Sequence, residues 1–308
     1  MATSNSYDFS ATATNLITDA LVIAGVIRAG QTISSAQESV GLRSLNLMVK
    51  AWQGESIGMW LNQEIALFQS KGGFVYDIGP SGDHATASWV KQELASAATS
   101  GASTITVDDD DGISDADIIG VELDSGVIDW DVINGTPASN VITLTSTLDG
   151  AAAVDNHVYT YTSLTQRPLQ LIEVRLVRGD GSEIPLEIVS RAEYMALNDK
   201  DATGTPNQVY YDKQLTNGKL YVWQACGNVK EYIKFTGKYP VEDFDAAANT
   251  ADFPQEWFEA ITYNLAIRLA PQFDRKIDTA TLLLAIQLKD IASGFDREET
   301  SVYFDIGD

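Results

Sequence analysis

The period of the hydrophobic pattern changes twice along this chain, and that change limits what it can fold into. Near both ends apolar residues recur every three to four positions, as on one face of a helix. Between them they alternate every second position, as on one face of a strand. At the N-terminal end Leu16, Ile17, Ala20, Leu21 and Ala24 share a helical face, behind a cap expected at Thr14 or Asn15, and run to Gly25. After Gly30 a Ser35/Glu38 capping box opens a second helix, with Leu42, Leu45, Met48, Val49 and Trp52 on one side as far as Gly54. At the other end Pro254 suits a first turn, and Trp257, Ile261, Leu265 and Leu269 stack until Pro271. In a last helix, ending between Gly294 and Glu299, Ile277, Thr281, Leu284, Leu288, Ile291 and Phe295 form the stripe expected to be buried.

In the middle, Ile65 and Leu67 on one side of Gly72-Gly73 and Phe74, Tyr76 and Ile78 on the other predict a β-hairpin. Five short strands are expected at Thr104–Val107, Ile118–Leu123, Val127–Ile133, Val141–Leu144 and Val158–Tyr161, a spacing that suits a small barrel or sandwich. A third stretch from Arg167 to Thr236 holds a strand at Leu171–Val177, a short helix behind a Ser190/Glu193 box, and paired strands Val209–Asp212 and Leu220–Trp223 separated by Asn217-Gly218. Two helix pairs at opposite ends must each bury an apolar face, and the simplest partner for each is the other. The expected fold class is therefore α+β: an antiparallel helical bundle from the N- and C-terminal helices, with a large β-rich insertion of small barrel or sandwich subdomains. The expected domains are 1–63 with 253–299 as the helical core, 64–252 as the insertion (sub-units at about 89–163 and 164–240), and 300–308 as a docking tail.

Charge narrows the function. The 308 residues carry a formal charge of −23, whereas a protein that grips phosphates sets Lys and Arg against them. Residues 69–252 hold 28 acidic and 12 basic side chains, so the acidity is concentrated in the middle. One cysteine, Cys226, is too few for a disulfide framework or a thiolate zinc cage. No apolar run reaches the ~18 residues of a membrane-spanning helix, and the first fifteen residues have no Lys or Arg ahead of an apolar run. A chain without membrane span or targeting signal is expected, placed in the cytoplasm of the cell that makes it.

Signs of catalysis are sparse. The two histidines, His84 and His157, lie in no nucleophile-elbow context, and phosphate loops and His-Glu-x-x-His are absent from the sequence. The run Asp108, Asp109, Asp110 and Asp111 offers oxygen ligands for Ca²⁺, but its spacing is not that of an EF-hand and a solvated turn accounts for it better. No cofactor or metal is expected. Two further readings stay open: a glycan- or receptor-binding β-module, from the aromatics Trp130, Tyr159, Tyr161, Tyr210, Tyr211, Tyr221 and Trp223 on expected strands, and a glycan hydrolase using two acidic residues.

The two ends carry a resemblance. Ile17-Thr18-Asp19-Ala20-Leu21, then Gly25-Val26-Ile27, Leu45-Asn46-Leu47-Met48-Val49-Lys50-Ala51-Trp52 and Gly58-Met59-Trp60 stand at the N-terminal end. Phe253-Pro254-Gln255-Glu256-Trp257 leads into Tyr263-Asn264-Leu265-Ala266-Ile267-Arg268-Leu269-Ala270-Pro271 at the other. Over roughly 120 residues, in this order, the chain resembles the head-to-tail adaptors of short-tailed phages, the packaged-DNA stabilisation and tail tubular protein A type. The resemblance implies a virion structural protein rather than an enzyme, assembled in the host cytoplasm as a twelve-membered homo-oligomeric ring on the tail side of the portal. It implies a portal protein ring above, a tail nozzle or tube and fibres as further partners, DNA passing through without specific binding, and no membrane. The long middle departs from the smallest members of that family, whose helices are joined by a short connection. An acidic lumen would repel phosphates along the path, over a Debye length of about 8 Å at physiological salt. Trp52, Trp60, Trp257 and Phe273 are candidates for packing between the helix pairs or between neighbouring subunits, with the intrachain core favoured for each and Trp60 and Phe273 kept as interface candidates. Beyond the last helix Val302, Tyr303, Phe304 and Ile306 are expected interface residues, because their apolar run has few intrachain options.

Overall fold

The computed structural model describes residues 9–54 and 61–295. Within them lie five α-helices: α1 Ala13–Ile23, α2 Ser35–Gln53, α3 Arg191–Ala196, α4 Phe258–Leu269 and α5 Thr279–Phe295. The chain divides into two compact units, Met1–Leu61 with Pro240–Asp308, and Asn62–Tyr239. It is a mixed α+β protein with a large β-rich part. No helix is long and apolar enough to cross a membrane, among the described residues.

In the first unit α1, α2, α4 and α5 contribute to one apolar cluster. Leu16, Ile17 and Leu21 of α1, Leu45, Met48 and Trp52 of α2, and Ile261, Leu265 and Leu269 of α4 are all buried in it. Gly41 of α2 sits where any side chain would meet the branched methyl of Ile17, so the missing Cβ is what lets α1 and α2 approach. The caps fall slightly upstream of the expected positions. Thr12 pairs reciprocally with Asn15 ahead of α1, and Ser34 with Gln37 ahead of α2. The acidic stretch Glu242–Asp252, expected within the insertion, belongs to this unit instead. The Ala13 N–H donates to Asn249 O (2.9 Å), Asn46 exchanges two bonds with the Phe244 backbone (both 3.0 Å), and Lys50 Nζ donates to Val241 O (2.7 Å). Val241 and Phe244 are themselves buried among the helices.

The largest departure concerns α5. Its buried positions are Ala285 (0% exposed) and Ala292 (3%), with Leu288 beside them, while Leu284 and Ile291 of the expected stripe face outward. Ile277 and Leu288 of that stripe do pack against the cluster, so the buried face is shifted by about 60°, less than the ~100° of one residue. Small residues on the inner side let its backbone come close enough for Asn264 Nδ2 of α4 to donate to Ala285 O at 2.9 Å. The side chain of Phe295 lies outside the described residues.

The second unit contains sixteen strands among the described residues. In chain order they are β1 Asn62–Phe68, β2 Val75–Ile78, β3 Ala85–Thr86, β4 Val90–Glu93, β5 Thr104–Thr106, β6 Ile118–Glu122, β7 Ile128–Val132 and β8 Val141–Thr143. They continue as β9 His157–Tyr161, β10 Gln170–Val177, β11 Glu183–Ile188, β12 Thr203–Gly204, β13 Gln208–Asp212, β14 Gly218–Trp223, β15 Ala225–Cys226 and β16 Tyr232–Lys238. Eight form one sheet in the order β2-β14-β13-β11-β10-β16-β1-β3. β1 and β2 are joined by six residues yet stand near opposite ends of that order, so the sheet must curl until its ends approach, as in an almost closed barrel.

This topology corrects the hairpin expected across Gly72-Gly73: β1 pairs with β16 and β3, and β2 with β14. The glycines turn the chain from one pairing to the other, tied down by Gly72 N–H to Cys226 O and Cys226 N–H to Gly73 O. It also enlarges the expected sub-unit at 164–240, because three of the eight strands come from residues 62–86. Residues 89–163 hold a four-stranded sheet, β4-β9-β6-β7, and the pair β5-β8, closed around Leu94, Ile105, Ile119, Ile142 and Val158. An aromatic cluster of Phe68, Tyr159 and Tyr161, with Trp89, Trp130 and Tyr232 against it, links this small domain to the larger sheet.

Candidate interaction surface

The polar and titratable groups of the β-rich unit are largely occupied by structural work. In the small domain Asp carboxylates accept loop N–H groups. Gly135 donates to Asp115 (2.7 Å), Ser146 to Asp131 (2.7 Å), Asp149 to Asp129 (2.8 Å) and Ala153 to Asp124 (2.9 Å). Much of the local acidity thus serves to lock turns, a role Asp fills because its short carboxylate reaches nearby backbone. The Asp108–Asp111 loop behaves alike: ligand oxygens of Asp109, Asp110 and Asp111 lie within 4.8 Å of one another, but Asp110 takes the Asn140 N–H (3.0 Å) and Asp109 the Asp111 N–H (3.1 Å).

His84 stacks on Trp130 with ring centroids 3.6 Å apart and shares a 2.6 Å hydrogen bond with the Tyr161 hydroxyl; burial pushes its pKa down to about 4. His157, within 4 Å of Glu93 and Glu122, is also lowered, with burial the main cause. Burial pushes the Cys226 thiol up to about 11, which leaves it a poor nucleophile. The strand aromatics are packed rather than displayed. Tyr159, Tyr161 and Tyr211 are buried, and Tyr194 of α3 covers the pair Tyr210 and Tyr221 at 6.1 and 5.4 Å.

The helical unit is different. Along the outer side of α5, Leu283 (61% exposed), Ile286 (51%) and Ile291 (60%) stand in solvent, flanked by Leu282 and Leu284 and with the exposed Gln287 and Asp290 among them. An amphipathic helix ordinarily turns polar residues outward, so large aliphatic residues on the outer side make this a candidate interaction surface. This is a convex ridge.

A second apolar surface is concave. α1 and α4 bound an open groove of about 420 Å³, with Leu16, Val22 and Ile23 on one wall and Phe258, Thr262 and Tyr263 on the other. Phe9 also lines it, its ring 5.9 Å from that of Phe258. The exposed carboxylates Asp19 and Glu259 sit at its rim. Position around α4 separates the two surfaces. Asn264 points to α5, whereas Thr262 lies about 200° round the helix from it, so groove and ridge face opposite ways.

Of the expected interface residues, Phe273 is half-buried against the helical cluster. Trp60, Val302, Tyr303, Phe304 and Ile306 lie outside the described residues. Trp52 and Trp257 belong to the core, their rings 5.9 Å apart, with Lys289 of α5 lying 5.0 Å over Trp52. Neither ridge nor groove was apparent from periodicity alone. The available signal was the unbroken run Leu282-Leu283-Leu284 followed by Ala285, since a helix apolar on every side has more faces to cover than one neighbour can supply. No protein-family model matches the chain, and no curated protein matches its sequence.

Proposed function

We propose that this chain is a structural head-to-tail adaptor of a phage virion, assembling as a ring below the portal and extending the channel through which DNA passes. In this reading the helices from both ends of the chain form one antiparallel bundle that carries the ring contacts. The β-rich unit is an elaboration to which tail tube or fibres attach. The observation that carries the proposal is the outward apolar ridge of α5, because a helix that leaves three large aliphatic residues more than half exposed is built to be covered by another chain. The order of the sequence fragments at the two ends supports the family. A net charge of −23 supports passage of DNA without capture. The packing of Tyr194 over Tyr210 and Tyr221 speaks against the glycan-binding reading.

The test is sedimentation of the purified chain with purified portal rings from the same particle. The adaptor reading expects the chain to migrate with the rings in a fast fraction. A chain that remains in the light fractions at every ratio refutes it.

A further inference from the structure

The ridge and groove differ in shape and face opposite ways on one compact unit. A two-fold contact uses the same patch on both copies and needs only one such surface, whereas two unlike patches on opposite sides suit head-to-tail association, which closes into a ring or runs on as a filament. Resting on the adaptor reading, we propose that the α5 ridge of one copy lies in the α1–α4 groove of the next, and that this helix-in-groove contact is the repeating joint of the ring.

Geometry and charge both favour a second copy as occupant. Leu283 and Ile286 are three residues apart on α5, the spacing of anchors by which a helix enters a valley between two others. Leu282 flanks them, and the groove walls offer Val22, Ile23, Phe258 and Tyr263. Asp19 and Glu259 at the rim make no ion pair among the described residues, and neither do the exposed Arg275 and Lys276, which immediately precede α5. Asp278, between those cations and the helix, accepts the Thr281 N–H at 2.8 Å and caps α5. Seating the ridge in the groove of another copy brings those cations toward those carboxylates. It leaves the turn that caps α5 intact.

Disulfide trapping on the full chain tests this, and the buried Cys226, with its raised pKa, does not compete. A chain carrying Val22→Cys and Ile286→Cys is oxidised, and the linked peptides are identified by mass spectrometry. The proposal expects a ladder of oligomers in which the 22–286 linkage exceeds, several-fold, any product of a control with Leu215→Cys, a fully accessible loop position. Arg275→Glu with Lys276→Glu should lower that yield, and adding Asp19→Lys with Glu259→Lys should restore it. A predominant 286–286 linkage, or no product above the control, overturns the proposal. If wild-type chain still migrates with portal rings in that case, the adaptor reading stands and only the ridge-in-groove joint fails; if it does not, both fail.

Discussion

Neighbouring positions on α5 give a sharp test of which side of that helix faces its own core. Ile291 is 60% exposed and Ala292 is 3% exposed. Burying a whole Ile side chain is worth about 1.5–3 kcal/mol, so the buried fraction of Ile291 contributes about 1 kcal/mol. Ala recovers roughly half of that through its better helix propensity. Ile291→Ala should therefore change the stability of the helical unit by less than about 0.5 kcal/mol. Ala292→Leu, in contrast, forces extra methylenes against tightly packed neighbours and should cost about 1–3 kcal/mol. Urea denaturation followed by helical circular dichroism measures both. If Ile291→Ala is the costly change and Ala292→Leu the harmless one, the stripe expected from periodicity is the buried face, and the ridge does not exist.

Three further outcomes follow from particular contacts. Asp131→Ala leaves the Ser146 N–H without its 2.7 Å acceptor and should destabilise the 89–163 domain by about 1–2 kcal/mol in thermal unfolding, with Asp131→Asn retaining most of it; an unchanged melting temperature for the Ala variant would refute the turn-locking role. His84, held down to about 4 by burial against an ordinary 6.5, refuses below pH 6.5 a proton that the unfolded chain accepts. Stability of the β-rich unit should thus fall as pH drops from about 6.5 to about 4, by at most about 3 kcal/mol, and His84→Phe should flatten that decline. Deleting residues 300–308 should leave a folded protein that no longer joins portal rings, and unaltered affinity for the rings would remove the docking role of Val302, Tyr303, Phe304 and Ile306.

The positions of the helices and of many strands were legible in the sequence, because the switch between periods of 3.6 and 2 is a local property of the chain, but β11 and β16 of the eight-stranded sheet were not expected. The five strands expected between Thr104 and Tyr161 fall within a residue or so of β5 to β9. Trp257, Ile261, Leu265 and Leu269 are buried together as their spacing implies. Cap positions were less clear, because Ser34, Ser35, Gln37 and Glu38 offer two overlapping boxes and only the backbone decides between them.

Pairings and faces were harder still. Gly72-Gly73 between alternating runs carries a hairpin signal, but β1 finds a longer partner in β16, across more than 150 residues of chain, a choice that no local pattern encodes. On α5 periodicity favoured the large aliphatics as the inner face. Close approach to α4 selected the two alanines instead, since tight helix contacts reward small side chains where backbones must meet. The exposed apolar ridge was hidden by the same substitution of size for hydrophobicity. It becomes visible only when the large residues are found on the outside.

If many copies of this chain join side by side on a portal ring, as proposed, mass photometry of the rings before and after addition of the chain detects it. The adaptor proposal expects a discrete gain corresponding to a full circle of copies, with few partly filled rings. Rings of unchanged mass beside free single chains would contradict it.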